Sequence, residues 1–172
     1  MIVCQWAKDL GATVIGTVGS PEKADLAQSH GCDHPILYKE EDFVARIKEI
    51  TNGRGVEVVY DSIGETTFMQ SLDCLRPMGM MVSFGQAAGP IPPVDISILA
   101  AKGSLFLTRP SLMAYTAARR DLLAHAQDLF EVVAKGAVKI EIQQTYPLAE
   151  AAQAHRDLEG RKTTGSTVLT IE

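Results

Sequence analysis

Five short stretches of this sequence set small, polar or charged residues directly after apolar runs, where a parallel strand would end. Ligands of open α/β sheets gather at such carboxyl ends. The most informative stretch is Thr13–Lys23, TVIGTVGSPEK. Gly19 permits a tight turn, Ser20 is a good N-cap, and Pro21 suits a first helical position because it has no N–H to waste. The N–H groups that open such a helix form an anion site, and Lys23 adds a positive charge one turn in. Lysine at that end opposes the helix dipole unless an anion is bound. A strand that reads a free ribose 2′-hydroxyl ends in Asp or Glu. Here Gly19 and Ser20 stand instead, and no acid at the strand end repels a 2′-phosphate. The turn therefore suits NADPH, against the plainer alternative of a solvated lysine on an ordinary strand-to-helix turn. Glu22 points either at the same ligand or at solvent.

The other four stretches are less particular. Tyr38 follows the next short strand and is placed to stack on an adenine, or simply to close the strand at the surface. Asp61 and Ser62, in DSIG, follow a continuous apolar run; they reach a ligand, or Asp61 caps the turn at Gly64. Phe84, Gly85, Gln86 and Ala87 end another strand, where glycine lets a ligand approach closely or serves an ordinary turn. Arg109 follows SLFLT and completes the set.

Other chemistry has little support. The fingerprint GxGxxG is missing, and so is the GxSxG elbow of a hydrolase. His30, His34, His125 and His155 are scattered. Cys4, Cys32 and Cys74 are an odd number at wide spacing, with no CxxC pair and no zinc-ligand spacing. Reduced thiols, a cytoplasmic setting and no metal are expected. A net charge of −5 argues against general nucleic-acid binding. No apolar run approaches the roughly 20 residues needed to span a bilayer, and MIVCQWAKDLGA lacks the pattern of a secretion signal.

The elements that must position these residues alternate. Ile2, Val3, Trp6, Ala7 and Leu10 repeat at helical spacing up to Gly11, with no capping residue before Met1, as if a helix were met in mid-course. Strand Thr13–Val18, a helix from Pro21 to His30, strand His34–Tyr38 and an amphipathic helix Glu40–Ile50 follow. Val56–Tyr60 reads as a strand covered on both faces. A helix over Thr66–Leu75, a turn at Pro77–Gly79, strand Met80–Phe84, a loop over 85–93 and strand Ser104–Thr108 come next. A long helix over Ala117–Lys135, an extended piece at Val138–Ile142, a helix at Ala149–Leu158 and strand Ser166–Ile171 complete the chain. With 172 residues, this alternation predicts a doubly wound, parallel α/β sheet rather than an eight-unit barrel of about 250 residues.

The phrases QWAKDLGATVIGTVGSPEKADLA, VVYDSIG, SLDCLRPMGMMVSFGQAAGP, KGSLFLTRPSL and GRKTTGSTVLTI occur in order along nearly the whole chain. Together they resemble the zinc-independent quinone oxidoreductases, the ζ-crystallin-like branch of the medium-chain dehydrogenase/reductase superfamily. The resemblance implies a Rossmann-like sheet lacking its first strand and glycine-rich loop, because the family carries both, with a catalytic domain, ahead of the point where this chain begins. Residues 1–136 then correspond to a partial dinucleotide-binding domain, and 137–172 to a segment that packs back on the catalytic domain.

Residue by residue, the resemblance puts Gly19, Ser20 and Lys23 at the 2′-phosphate of NADPH, with Tyr38 beside it. Ser62 lines the cofactor groove, Phe84, Gly85, Gln86 and Ala87 run along the nicotinamide half, and Arg109 and Arg161 lie at the cleft. It implies hydride transfer from NADPH to a quinone or conjugated carbonyl without metal, and a homodimer formed through edge strand Ser104–Thr108. It supplies no catalytic acid or base. An enone or enoyl reductase of the same superfamily, and a non-catalytic remnant with a binding or structural role, stay open beside it. If the first strand is absent, strands Thr13–Val18 and Val56–Tyr60 each lose a partner, and an isolated chain is expected to be poorly stable.

Overall fold

The computed structural model describes residues 1–160 and 162–171. In chain order the elements are α1 (Ile2–Asp9), β1 (Ile15–Val18), α2 (Pro21–Ser29), β2 (His34–Leu37), α3 (Phe43–Ile50), β3 (Val56–Asp61), α4 (Phe68–Asp73) and β4 (Leu75–Ser83). They continue with α5 (Ser97–Ala101), β5 (Phe106–Thr108), α6 (Leu112–Tyr115), α7 (Arg119–Ala134), β6 (Ile142–Pro147), α8 (Ala151–Glu159) and β7 (Ser166–Thr170). All strand pairs are parallel. The chain divides into two compact units, one of Met1–Leu37 with Gln127–Glu172 and the other of Tyr38–Ala126.

In the first unit, β1 pairs with β2 in register from Ile15↔His34 to Val18↔Leu37. Ile36 and Cys32 are fully buried. A Cβ on Gly16 would meet Cys32 Sγ at 3.0 Å, so glycine lets that sulfur close on the strand. Asp33 joins the ends of two elements: its carboxylate pairs with Lys8 of α1 and accepts from Val14 N–H at 2.9 Å. Those donors hold its carboxyl below the usual carboxylate range, Lys8 contributing most. β6 pairs with β7 in a separate two-stranded sheet.

The second unit is a sheet of order β3-β4-β5. Its core is Phe68 and Leu72 of α4, Leu75 and Met81 of β4, and Leu105, joined by Val56 and Val59. Asp42 caps α3 by accepting from Val44 N–H and Ala45 N–H.

Several local expectations shift. The turn expected at Pro77–Gly79 is an irregularity inside one long strand. Val56 pairs with Leu75 but Val58 with Met80, so residues 76–79 bulge opposite Glu57, with Met78 at φ 59°. Strand β3 is not covered on both faces: Val58 is 41% and Tyr60 63% exposed. Among the described residues its strand partner is β4 alone, just as β1 has β2 alone. The extended piece expected at Val138–Ile142 forms its strand later, at Ile142–Pro147. The Gln5 amide takes the place of a strand partner there: its Nε2 donates to Lys139 O at 3.0 Å and its Oε1 accepts from Lys139 N–H at 2.9 Å. Positive φ at Ser104 delays the start of β5 to Phe106.

Candidate functional site

The residues singled out above fall into groups at the carboxyl ends of strands, each built within its own unit. In the first unit, Ser20 follows β1 in an extended conformation (φ −157°, ψ 159°) and caps α2, with its Oγ accepting from Lys23 N–H at 3.4 Å. Pro21 occupies the first turn. Glu22 settles toward this cap. The Ser20 hydroxyl, and after it the residue's own backbone N–H, hold the Glu22 carboxyl below its ordinary range. The opening donors of α2 are thus partly satisfied within the chain, and an incoming anion competes with the Glu22 carboxylate for them. No acid occupies the end of β1, where Val18-Gly19-Ser20 runs.

Tyr38 begins the second unit directly after β2 and is 42% exposed. Arg161 lies outside the described residues.

The second unit brings Ser62, Phe84, Gly85, Gln86, Ala87 and Arg109 into one constellation. Its foundation is Asp61, the last residue of β3 and 5% exposed. One carboxylate oxygen accepts from Ile63 N–H at 2.7 Å and Gly64 N–H at 3.1 Å; the other accepts from the hydroxyls of Thr67 and Ser71, each at 2.8 Å. Four donors on one buried carboxylate satisfy the rule that such a charge must be hydrogen-bonded. Asp61 is therefore the scaffold of the DSIG turn. Thr67 and Ser71, its partners on and beside α4, stand six and ten residues downstream. A short polar periodicity that faces back toward Asp61 was the only sequence signal for them.

That turn carries the segment after β4. Phe84 N–H donates to Asp61 O at 2.9 Å, Ala87 N–H to Ser62 O at 3.0 Å and Ala88 N–H to Ile63 O at 2.9 Å. Gly85 lies flat against Ser62, where a Cβ would meet Ser62 O at 2.5 Å and Ser62 Cα at 2.8 Å. Phe84 is exposed and meets Tyr60 edge-on, with ring centroids 6.4 Å apart and planes at 70°. Gln86 and Ala87 are exposed. Arg109, just past β5, donates from Nη1 to Ser83 O at 3.0 Å and to Gly85 O at 3.1 Å. The Ser83 hydroxyl is buried and has no partner among the described residues.

A cavity lies elsewhere. It opens in the first unit to about 500 Å³ and is lined by Lys8, Asp9, His30, Lys139 and Glu141 among others. Lys8, Asp9 and His30 sit where α1 and α2 end, the opposite end from that at which open sheets bind ligands, and Lys139 and Glu141 precede β6. Lys8 and Asp9 are paired with residues outside the lining, Asp33 and Lys135, and His30 Nε2 lies 3.6 Å from the Glu141 carboxylate. Among the described residues no group of three or more His, Cys, Asp or Glu is placed to hold a metal ion, and no helix is long and apolar enough to cross a membrane.

Known proteins are similar to this chain in sequence and fold. A quinone oxidoreductase of Pseudomonas aeruginosa is 50% identical over 169 residues, covering 98% of this chain and 52% of that protein. A 2-haloacrylate reductase of Burkholderia is 47% identical over 169 residues, covering 98% and 51%. The crystal structure of Escherichia coli quinone oxidoreductase complexed with NADPH superposes with a TM-score of 0.93 at 48% identity, over 98% of this chain and 53% of that one. The chain thus spans about half the length of these relatives, matching their C-terminal half. Residues 1–131 match the family described as zinc-binding dehydrogenase. With that match running from α1 into α7 and the parallel α/β fold agreeing with it, the chain belongs to the zinc-binding dehydrogenase family and has the Rossmann-like cofactor-binding fold of its quinone oxidoreductase members.

Proposed function

We propose that this chain is the cofactor-binding part of an NADPH-dependent oxidoreductase that delivers hydride to quinones. The observation that carries the reading is the end of β1: Gly19 and Ser20 replace the ribose-binding acid, a serine-capped helix follows, and Lys23 stands one turn in. The residues present suit the group. Gly19, Ser20 and Lys23 take the 2′-phosphate, with Tyr38 assigned to the adenosine end. Ser62 and Phe84–Ala87 take the nicotinamide half, where the lack of a side chain at Gly85 keeps the segment flat against Ser62. Arg161 completes the set, and Arg109 borders it, donating to Ser83 O and Gly85 O. Bound there, the reduced nicotinamide supplies the hydride; the chain's own residues bind and orient it. The reading assigns no acid, base or zinc ligand to these residues.

Residues 1–136 act as the dinucleotide-binding part, and 137–172 pack back on a catalytic domain. Two copies associate through the β5 edge, where Phe106 and Leu107 are exposed. The setting is cytoplasmic. A second reading, reduction of a conjugated double bond, is favoured by one relative named for a haloacrylate.

The test is NADPH oxidation by the intact protein, followed with a benzoquinone and with 2-chloroacrylate as alternative acceptors. Faster turnover with the quinone supports the first reading, and faster turnover with the acrylate replaces it with the second. Failure to bind NADPH at all contradicts both.

A further inference from the structure

We propose that Arg109 is a positioning residue for the nicotinamide-binding segment, acting through the backbone of Ser83 and Gly85 rather than by touching the cofactor. This rests on the reading above that Phe84–Ala87 receives the nicotinamide half. The segment leaves the sheet at Ser83, the last residue of β4, so the strand ladder no longer fixes it. On one side the β3 turn holds it, through Phe84 N–H to Asp61 O and Ala87 N–H to Ser62 O. On the other side Arg109 holds it. Both protons of Arg109 Nη1 are directed at carbonyls that flank Phe84, Ser83 O at 3.0 Å and Gly85 O at 3.1 Å.

A guanidinium suits this task because its plane fixes the directions of the two Nη1 protons, whereas the three donors of an ammonium rotate freely. Arg109 is exposed, so the bonds add little to global stability in high dielectric; what they fix is the path of the chain at Phe84. The position of β5, next to β4 in the sheet, delivers the side chain there. An arginine kept for a ligand phosphate would present its paired donors outward, whereas here the Nη1 pair is committed to the chain's own carbonyls.

The experiment compares Arg109→Ala and Arg109→Lys with wild type in the intact protein, by hydrogen exchange, steady-state kinetics and binding of 2′,5′-ADP, which carries only the adenosine half. The expected result for Arg109→Ala is faster exchange at Phe84, Ala87 and Ala88, with Val59 and Val82 unchanged. Turnover falls by up to about 100-fold, the loss expected of an ångström-scale misplacement, and lies in kcat rather than KM; 2′,5′-ADP affinity is unchanged. Arg109→Lys, which keeps a charged donor but not the fixed plane of its N–H groups, recovers part of the turnover. A loss confined to KM, an equal loss of 2′,5′-ADP binding, or unchanged exchange at 84–88 would overturn the proposal. A wild-type protein that binds 2′,5′-ADP and NADPH equally well contradicts the nicotinamide assignment itself. Unfolding of Arg109→Ala together with no recovery in Arg109→Lys makes Arg109 a stability residue and also overturns the proposal.

Discussion

Gly85 lies against Ser62 so closely that a Cβ on it would fall 2.5 Å from the Ser62 carbonyl oxygen and 2.9 Å from the Ser62 side chain. Both obstacles are short and one is backbone, so no rotamer change relieves them. Gly85→Ala must push the segment after β4 away from the β3 turn, lengthening Ala87 N–H···O Ser62. The expected cost is about 1–3 kcal/mol, the usual range for forced overpacking, measured by urea unfolding. NADPH affinity falls with it, whereas Gly53→Ala, strained at φ 78° but with nothing within 4 Å of the added carbon, costs stability and leaves affinity unchanged.

Asp61 accepts from four donors, two of them hydroxyls on or next to α4. Asp61→Ala strands the Ser71 hydroxyl and the Gly64 N–H in a buried setting, at about 1–3 kcal/mol for each unsatisfied group. Asp61→Asn turns an NH2 toward some of the same donors and is expected to be nearly as costly. Chemical denaturation of the two variants checks this; a loss below about 0.5 kcal/mol for both, the range of ordinary surface changes, contradicts it.

Burial, and then the Asp73 carboxylate, push the Cys74 thiol up to about 12. Burial likewise raises Cys32. Cys4 is only partly buried. An unfolded thiol ionises near about 8.5, so between that value and about 12 the unfolded state sheds a proton that folded Cys74 keeps, and stability falls as pH rises through this window. Cys74→Ala flattens that alkaline slope. Iodoacetamide at mildly alkaline pH is expected to modify Cys4 first and to reach Cys32 and Cys74 only on unfolding, as peptide mapping reads directly.

Asp33 gives the opposite slope. Lys8, then Val14 N–H, hold its carboxyl low, so its stabilising contribution is present above the ordinary aspartate value of about 3.9 and is lost as pH falls through the folded value. Asp33→Asn is expected to lower the thermal midpoint at neutral pH, with the gap from wild type closing on acidification. A gap that stays constant down to strongly acid pH contradicts the role given to Lys8.

Much of the fold was legible because local chemistry and final structure agree. Ser20-Pro21 starts α2, Asp42 starts α3, and apolar runs became β1 to β4 within a few residues. What escaped depends on long-range partners. The Gln5 amide bonds the Lys139 backbone from 134 positions away, which shifts β6, and no periodicity announces it. The exposure of Val58 and Tyr60 reflects which strands flank β3, a fact absent from the β3 sequence itself. At the site, the apolar-run-then-glycine pattern marked Ser62 and Phe84–Ala87, because strand ends and tight approaches require those residue types. The commitment of Arg109 to carbonyls, and of Glu22 to the Ser20 cap, is set by rotamers and had no sequence signature.

The central claim is that the β1–α2 turn reads a 2′-phosphate, and the direct measurement is the dissociation constant of NADPH and of NADH for the intact protein and for Lys23→Ala. Wild type is expected to prefer NADPH by at least tenfold, or about 1.4 kcal/mol, and Lys23→Ala to lose most of that preference while its NADH affinity is unchanged. Equal affinity for the two dinucleotides in wild type, or a Lys23→Ala variant that keeps the full preference, would contradict it.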